Sequence, residues 1–333
     1  MDLGKIELTY RQLTSQKGLL ELIFKVTILP LSFINYVYST LRRLIYQTDI
    51  MRKYKFNKPI ISVGNINIGG SGKTPLIIYI AKRMIKSGYR PAIVMSKEAS
   101  RDESLVYKAQ LPDIPVFTEH SKIDSIRRAN TGNSDVILID DGFQLLNIRK
   151  DLDIVIVRDD VSSAPFPLGW GRENLMSLRF ADFIIISKRY KLLSTKCIKN
   201  IRKPIFTMRQ VPLEIINALN NKSLDMNKLY GEKVLIFSMV PSIEYIAFEL
   251  SKFGLKVKIM QFPDHYRYKK RDLDNILLRM GSVKYIITTE KDIANIKRDF
   301  PKICGSLWVL KSELDIDNEK YFFQSVLKAV KSK

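Results

Sequence analysis

A chain of 333 residues with 46% hydrophobic and 10% aromatic content has the material for two α/β domains, which excludes a disordered or low-complexity polymer. Its two cysteines, Cys197 and Cys304, stand apart without CxxC spacing; this argues against a disulfide framework or zinc site and fits a reducing compartment. A net charge of +21, from 55 basic and 34 acidic residues, calls for an anionic partner, whether nucleic acid, lipid headgroups or a phosphorylated substrate.

The first element is an apolar run over residues 18–41, GLLELIFKVTILPLSFINYVYSTL, long enough to cross or embed in a bilayer. Glu21, Lys25 and Pro30 interrupt it, which favours a helix lying in or dipping into the interface over a clean span. The plainer alternative is an amphipathic helix covering the core. Arg42, Arg43, Arg52, Lys53, Lys55 and Lys58 follow closely, so the positive-inside tendency keeps the downstream domain cytoplasmic.

Residues 59–63 read as a strand, 75–86 as a helix, and between them lies the turn of ISVGNINIGGSGKT, residues 61–74. Strand, glycine loop and helix form a phosphate cradle. Backbone N–H groups of Gly69, Gly70, Ser71 and Gly72 converge on a polyphosphate, Lys73 reaches the β/γ oxygens, and the Thr74 hydroxyl ligates Mg²⁺. The usual template has a glycine where this chain has Asn67, and the alternative is a glycine-rich turn with a lysine on its edge.

Short β-branched runs follow at 91–95, 135–139, 153–158 and 183–187, a pattern of strands buried on both faces in a mainly parallel sheet. A second set begins at 233, 257, 285 and 306, separated by helical patterns, one of them capped by Gly254. Residues 204–231 read as a less regular connection between lobes. The expected organisation is α/β: a membrane-associated segment at 1–45, a P-loop NTPase-like nucleotide core at 46–155, a second, smaller α/β lobe at 156–318, and a helix at 319–333 packing back on the core. The ligand cleft then falls between the lobes.

Asp140 and Asp141 end an apolar strand before Gly142, and carboxyl ends of parallel strands face the ligand crevice. One of the two is placed to hold Mg²⁺, against the alternative of a strand-ending turn. His265, in FPDHYRY, follows a strand and has Asp264 beside it, an arrangement suited to a general base or to a solvated structural histidine. Asp102 and Glu103 follow the second strand, where a carboxylate can orient an attacking hydroxyl. Arg172 and Glu173 in GWGRE, and the TTEKD run at 288–292, are either functional loops or capping and solvated charge.

Taken in order, VGNINIGGSGKTP, DDGFQ, GRENLMSLRFAD, FPDHYRY and TTEKD resemble the tetraacyldisaccharide 4′-kinase (lipid A 4′-kinase) family over most of residues 10–300. The resemblance implies a monotopic or singly spanning enzyme at the cytoplasmic face of the inner membrane. It would transfer the γ-phosphate of MgATP to the 4′-hydroxyl of a tetraacylated disaccharide 1-phosphate, with ATP and Mg²⁺ as cofactors and an anionic membrane surface as partner. No nucleic acid and no obligate protein partner are implied. Carried over by motif, Lys73 and Thr74 bind phosphate and metal, Asp140 and Asp141 act around the metal and nucleotide, and Asp102 is the catalytic carboxylate. His265 is its partner and Glu173 a further active-site acid. The chain departs from the family pattern in a shortened loop after Met95, in Leu145 where a histidine is expected, and at Ser238, Met239 and Val240. A diverged nucleotide-binding paralogue, or a nucleic-acid-associated P-loop ATPase, are the competing expectations.

Overall fold

The computed structural model describes residues 19–48, 50–67, 70–97, 100–159, 166–169, 171–188, 198 and 201–332; Gly69 and Cys197 therefore lie outside the described residues. The chain begins with the helix α1 (Leu19–Gln47), which continues through Pro30 without a break. Its outer side carries Val26, Phe33, Ile34, Tyr38 and Leu41, all more than half exposed. Among the described residues, no helix is long and apolar enough to cross a membrane.

The amino-terminal half is built from β1 (Ile60–Asn65), α2 (Lys73–Lys86), β2 (Pro91–Val94), α3 (Ser100–Gln110), β3 (Val116–Phe117), α4 (Lys122–Thr131), β4 (Val136–Asp140), β5 (Leu152–Arg158) and β6 (Phe183–Ser187). Every residue of β1, β2, β4 and β6 is buried, as strands covered on both faces require. These strands pair in parallel, and β1 lies centrally between β4 and β5.

Residues 205–217, expected as an irregular connection, instead form the 13-residue strand β7 (Ile205–Asn217). It pairs in parallel with β6 at one end and antiparallel with β12 (Trp308–Ile316) and β8 (Ser223–Leu224). Pro212 cannot donate a ladder hydrogen bond, and the register of β7 against β12 shifts there, between Lys311 and Ser312. The remaining elements are β9 (Lys233–Ser238), α5 (Ile243–Ser251), β10 (Lys256–Gln261), α6 (Lys270–Leu277), β11 (Tyr285–Thr289), α7 (Glu290–Asp299) and α8 (Glu319–Lys331). One 12-stranded sheet results, in the order β10, β9, β11, β12, β7, β6, β5, β1, β4, β2, β3, with β8 beside β7.

The apolar residues divide into separate cores along this sheet. Ile61, Leu76, Ile80 and Tyr107 pack with Phe206, Phe322 and Val326, so α8 closes the amino-terminal half; the Phe206 and Phe322 rings meet edge to face at 5.1 Å. Phe237, Tyr268, Leu273 and Ile296 make the principal core of the second half.

Asp292 anchors that half. It is wholly buried and accepts from Ser238 Oγ at 2.5 Å, Met239 N at 2.9 Å, Tyr268 OH at 2.7 Å and Thr289 Oγ1 at 2.5 Å. The departures at Ser238 and Met239 thus form part of a satisfied network, and TTEKD is more than solvated charge. Replacing Asp292 with alanine strands four buried donors and is expected to cost about 3 kcal/mol or more of stability. Thermal unfolding checks this, and an unchanged Tm would remove the network from the account of stability.

Candidate active site

At the end of β1 the chain turns through Gly70–Gly72 into α2, and Gly72 adopts φ 94°, in the left-handed region open to glycine. A Cβ there would approach Met208 Cε to 2.9 Å. No acidic residue occupies the first turn of α2, so its N–H groups and dipole present a positive end to the cleft. Pro75 sits in that turn, where a missing N–H costs nothing. Asn67 is buried and its backbone bridges to Gly171; the following Arg172 N donates to Ile66 O at 2.7 Å. The residue that departs from the template therefore fastens the GWGRE loop to the phosphate loop.

Asp140 and Asp141 lie directly behind the cradle. Asp141 has φ 56°, and Gly142 is required next because a Cβ would fall 2.4 Å from Ser62 Oγ. Lys73 Nζ stands 3.5 Å from Asp141 Oδ1, and Arg172 Nη1 donates to Asp141 Oδ2 at 2.7 Å. Burial alone would raise the Asp141 carboxyl, but Lys73, Arg172 and Lys122 overcome it and hold the group at about 2. Asp140 goes the other way, pushed up chiefly by burial, against the pull of Lys73. Its Oδ2 accepts from the buried Tyr107 hydroxyl at 2.8 Å, and Tyr107 also hydrogen-bonds Thr74. Oδ1 of each aspartate is buried without a hydrogen-bond partner among the described residues. Such oxygens fit a hard cation. Among the described residues no group of three His, Cys, Asp or Glu side chains forms a protein cage, but Mg²⁺ bound largely through phosphate and water needs only one or two carboxylates.

In the same cleft, His265 adopts φ 59° on the loop after β10, a left-handed conformation for a non-glycine residue of the kind that marks functional sites. Its Nδ1 lies 3.0 Å from Asp102 Oδ2, at the start of α3, and its Nε2 is 3.9 Å from Glu103 Oε1 and 3.8 Å from Asp264 Oδ2. Lys291 Nζ donates to Asp264 Oδ1 at 2.8 Å, pinning the loop from α7. The contact with Asp102 raises the His265 ring above its ordinary value, against burial. Burial favours a neutral Asp102, yet His265 and Lys291 bring its carboxyl below the usual range. Glu103 is shifted upward by burial. His265 and Glu103 line the cleft, whereas Asp102 stands behind the ring with a side chain 13% exposed.

The structure thus brings Gly70, Ser71, Gly72, Lys73, Thr74, Asp140, Asp141 and His265 to one cleft of about 1230 Å³, with Asp102 behind the His265 ring. That exceeds the usual size of a single small-molecule pocket and leaves room for two ligands. Glu173 is not brought there. Both of its oxygens are engaged by Arg43 of α1 in a buried ion pair, and Arg172 beside it reaches the cleft instead. Arg172 and Glu173, adjacent in the chain, thus engage different partners, which spacing alone does not assign. Two further residues escaped the sequence reading. Lys122, at the first position of α4, donates to the carbonyls of Asp140 and Asp141 at 2.9 and 2.6 Å, and Tyr107 is buried against Asp140. Helical spacing from Glu103 to Tyr107 was the available signal for the second; for the first, the capping Ser121 marked only that a helix begins there.

A phosphate cradle that shares one cleft with a histidine paired to an aspartate suits the transfer of a phosphate between two bound molecules, and the class so defined is the P-loop phosphotransferases. The chain belongs to the tetraacyldisaccharide-1-P 4′-kinase family, LpxK, whose sequence profile matches residues 24–97 and 95–331. It is 29% identical over 328 residues to the tetraacyldisaccharide 4′-kinase of Halothermothrix orenii, covering 83% of this chain and 84% of that one. To the enzyme of the same name from Flavobacterium johnsoniae it is 26% identical, covering 93% and 98%. The crystal structure of LpxK from Aquifex aeolicus in complex with ATP shares the fold, with a TM-score of 0.69 and 21% identity over 92% of this chain and 99% of that one.

Proposed function

We propose that this protein transfers the γ-phosphate of ATP to the 4′-hydroxyl of a tetraacyldisaccharide 1-phosphate, giving lipid IV A at the cytoplasmic face of an inner membrane. The observation that carries this reading is one cleft lined by Lys73, Thr74, Asp140 and Asp141 and also by His265, whose ring pairs with Asp102. Gly70, Ser71 and Gly72 cradle the β/γ phosphates with α2's N-terminal N–H groups, and Lys73 follows the transferring group. Thr74, Asp140 and Asp141 would hold Mg²⁺, which would neutralise phosphate charge when bound.

The hydroxyl oxygen of the acceptor attacks the γ-phosphorus as the bond to the ADP oxygen breaks, and the hydroxyl proton passes to His265 Nε2. Asp102 holds the other ring nitrogen and so fixes which nitrogen is free to accept. Glu173 acts from behind by keeping Arg43 and the Arg172 loop in place, rather than as an acid in the cleft. The apolar outer side of α1, followed by the basic residues 42–58, supports attachment to an anionic bilayer where the acylated acceptor resides.

The test is ³²P transfer from γ-labelled ATP to the disaccharide lipid in detergent micelles. Labelled lipid is the expected product. ATP binding without transfer to any lipid acceptor would defeat the reading in favour of a paralogue with changed chemistry. The short connection between β2 and α3, residues 95–99, is the observation behind that second reading, because a longer loop there belongs to the family pattern.

A further inference from the structure

We propose that Arg43 is a positioning residue that sets Arg172 on Asp141, so that the seating of α1 governs the affinity of the cleft for nucleotide. The inference rests on the reading that the cleft binds ATP. It begins from the polarity of α1, which turns its polar side chains inward. Ser32 Oγ accepts from Leu168 N at 2.8 Å, Asn35 Nδ2 donates to Phe166 O at 3.0 Å, and Thr40 Oγ1 accepts from Asn174 Nδ2 at 3.2 Å. With Arg43 these positions follow helical spacing along one face, and all of them grip the segment that carries Arg172.

Arg43 makes the strongest of these contacts. Its side chain is 5% exposed; it pairs with both oxygens of Glu173, and its Nη2 donates to Phe143 O at 3.2 Å. The guanidinium also lies 3.8 Å from the centroid of the Phe143 ring. Glu173 adjoins Arg172, and Phe143 follows Asp141 by two residues, so a single side chain from α1 holds both partners of the Arg172–Asp141 contact from behind. Gly64 lets the Phe143 segment close against β1, since a Cβ at Gly64 would lie 2.4 Å from Phe143 Cβ. A planar fork is needed for this double grip, and a lysine ammonium does not reproduce it.

The test is a double-mutant cycle read by calorimetric titration with ATP, using the full chain as wild type, Arg43→Lys, Arg172→Ala and the pair. Arg43→Lys is expected to weaken ATP binding about tenfold in the wild-type background and by less than about twofold once Arg172 is alanine. A merely structural loss at Arg43 would weaken binding equally in both backgrounds, which would overturn the proposal, as would unchanged affinity in Arg43→Lys. Glu173→Gln removes the same ion pair without altering side-chain size and is expected to reproduce the pattern; thermal melts confirm that each variant is folded. ATP binding is read without an acceptor, so a chain that transfers no phosphate to lipid leaves this test intact. A wild type that binds no ATP would overturn both readings.

Discussion

With Asp102 replaced by asparagine, turnover is expected to fall by about 10²–10⁴-fold, the range of a positioned acid–base pair, and the pH profile is expected to move with it. His265 accepts a proton only while neutral, so wild-type activity should climb with pH through a value above the ring's ordinary 6.5, because Asp102 stabilises the protonated form. Asparagine removes that stabilisation. The rising limb should then shift to lower pH while the plateau drops, since an amide can present either end to Nδ1 and no longer selects the tautomer. A limb that stays in place after Asp102→Asn would assign it to a different group.

The same contact links folding stability to pH. His265, raised in the folded state, contributes stability that is complete below 6.5 and is lost as pH climbs through its raised value. Asp102, lowered in the folded state, contributes stability that is complete above 3.8 and is lost as pH falls through its folded value. Both contributions are present together between 3.8 and 6.5. The Tm difference between wild type and Asp102→Asn should be widest in that window and shrink on either side.

What the sequence disclosed about this site was local in origin. The cradle is legible because glycines, a preceding apolar run and a following helix occupy adjacent positions, and Asp140 and Asp141 are legible because β4 ends on the first of them and Gly142 follows the second. The pairing of His265 with Asp102, 163 residues apart, came from family resemblance and not from any periodicity in the chain. Contacts that depend on the three-dimensional path were invisible. Arg43 meets Glu173 across 130 residues, and Lys122 reaches β4 from a different helix, with only a capping serine at 121 to announce that a helix begins there. The long strand β7 was missed for a related reason. Pro212 and the mixed polarity of its middle suit a partly covered strand with a bulge, a state fixed by β12, whose residues lie about a hundred positions away.

Replacing Lys73 with alanine is expected to lower kcat by about 10²–10³-fold, the usual effect of deleting one charged donor at a transferring group, while weakening ATP binding less. The asymmetry follows from where the charge is needed. α2's N-terminal N–H groups and the Arg172 guanidinium remain to hold the ground-state phosphates, whereas negative charge that gathers on the bridging and γ oxygens during transfer meets Lys73 first. Stability should change little. Asp141 keeps the Arg172 contact at 2.7 Å and the neighbouring Lys122, so the loss of the 3.5 Å approach of Lys73 leaves no carboxylate without a cation. Single-turnover transfer separates the chemical step from binding and product release, and a Lys73→Ala chain that transfers phosphate at the wild-type rate would place the decisive positive charge on Arg172 instead.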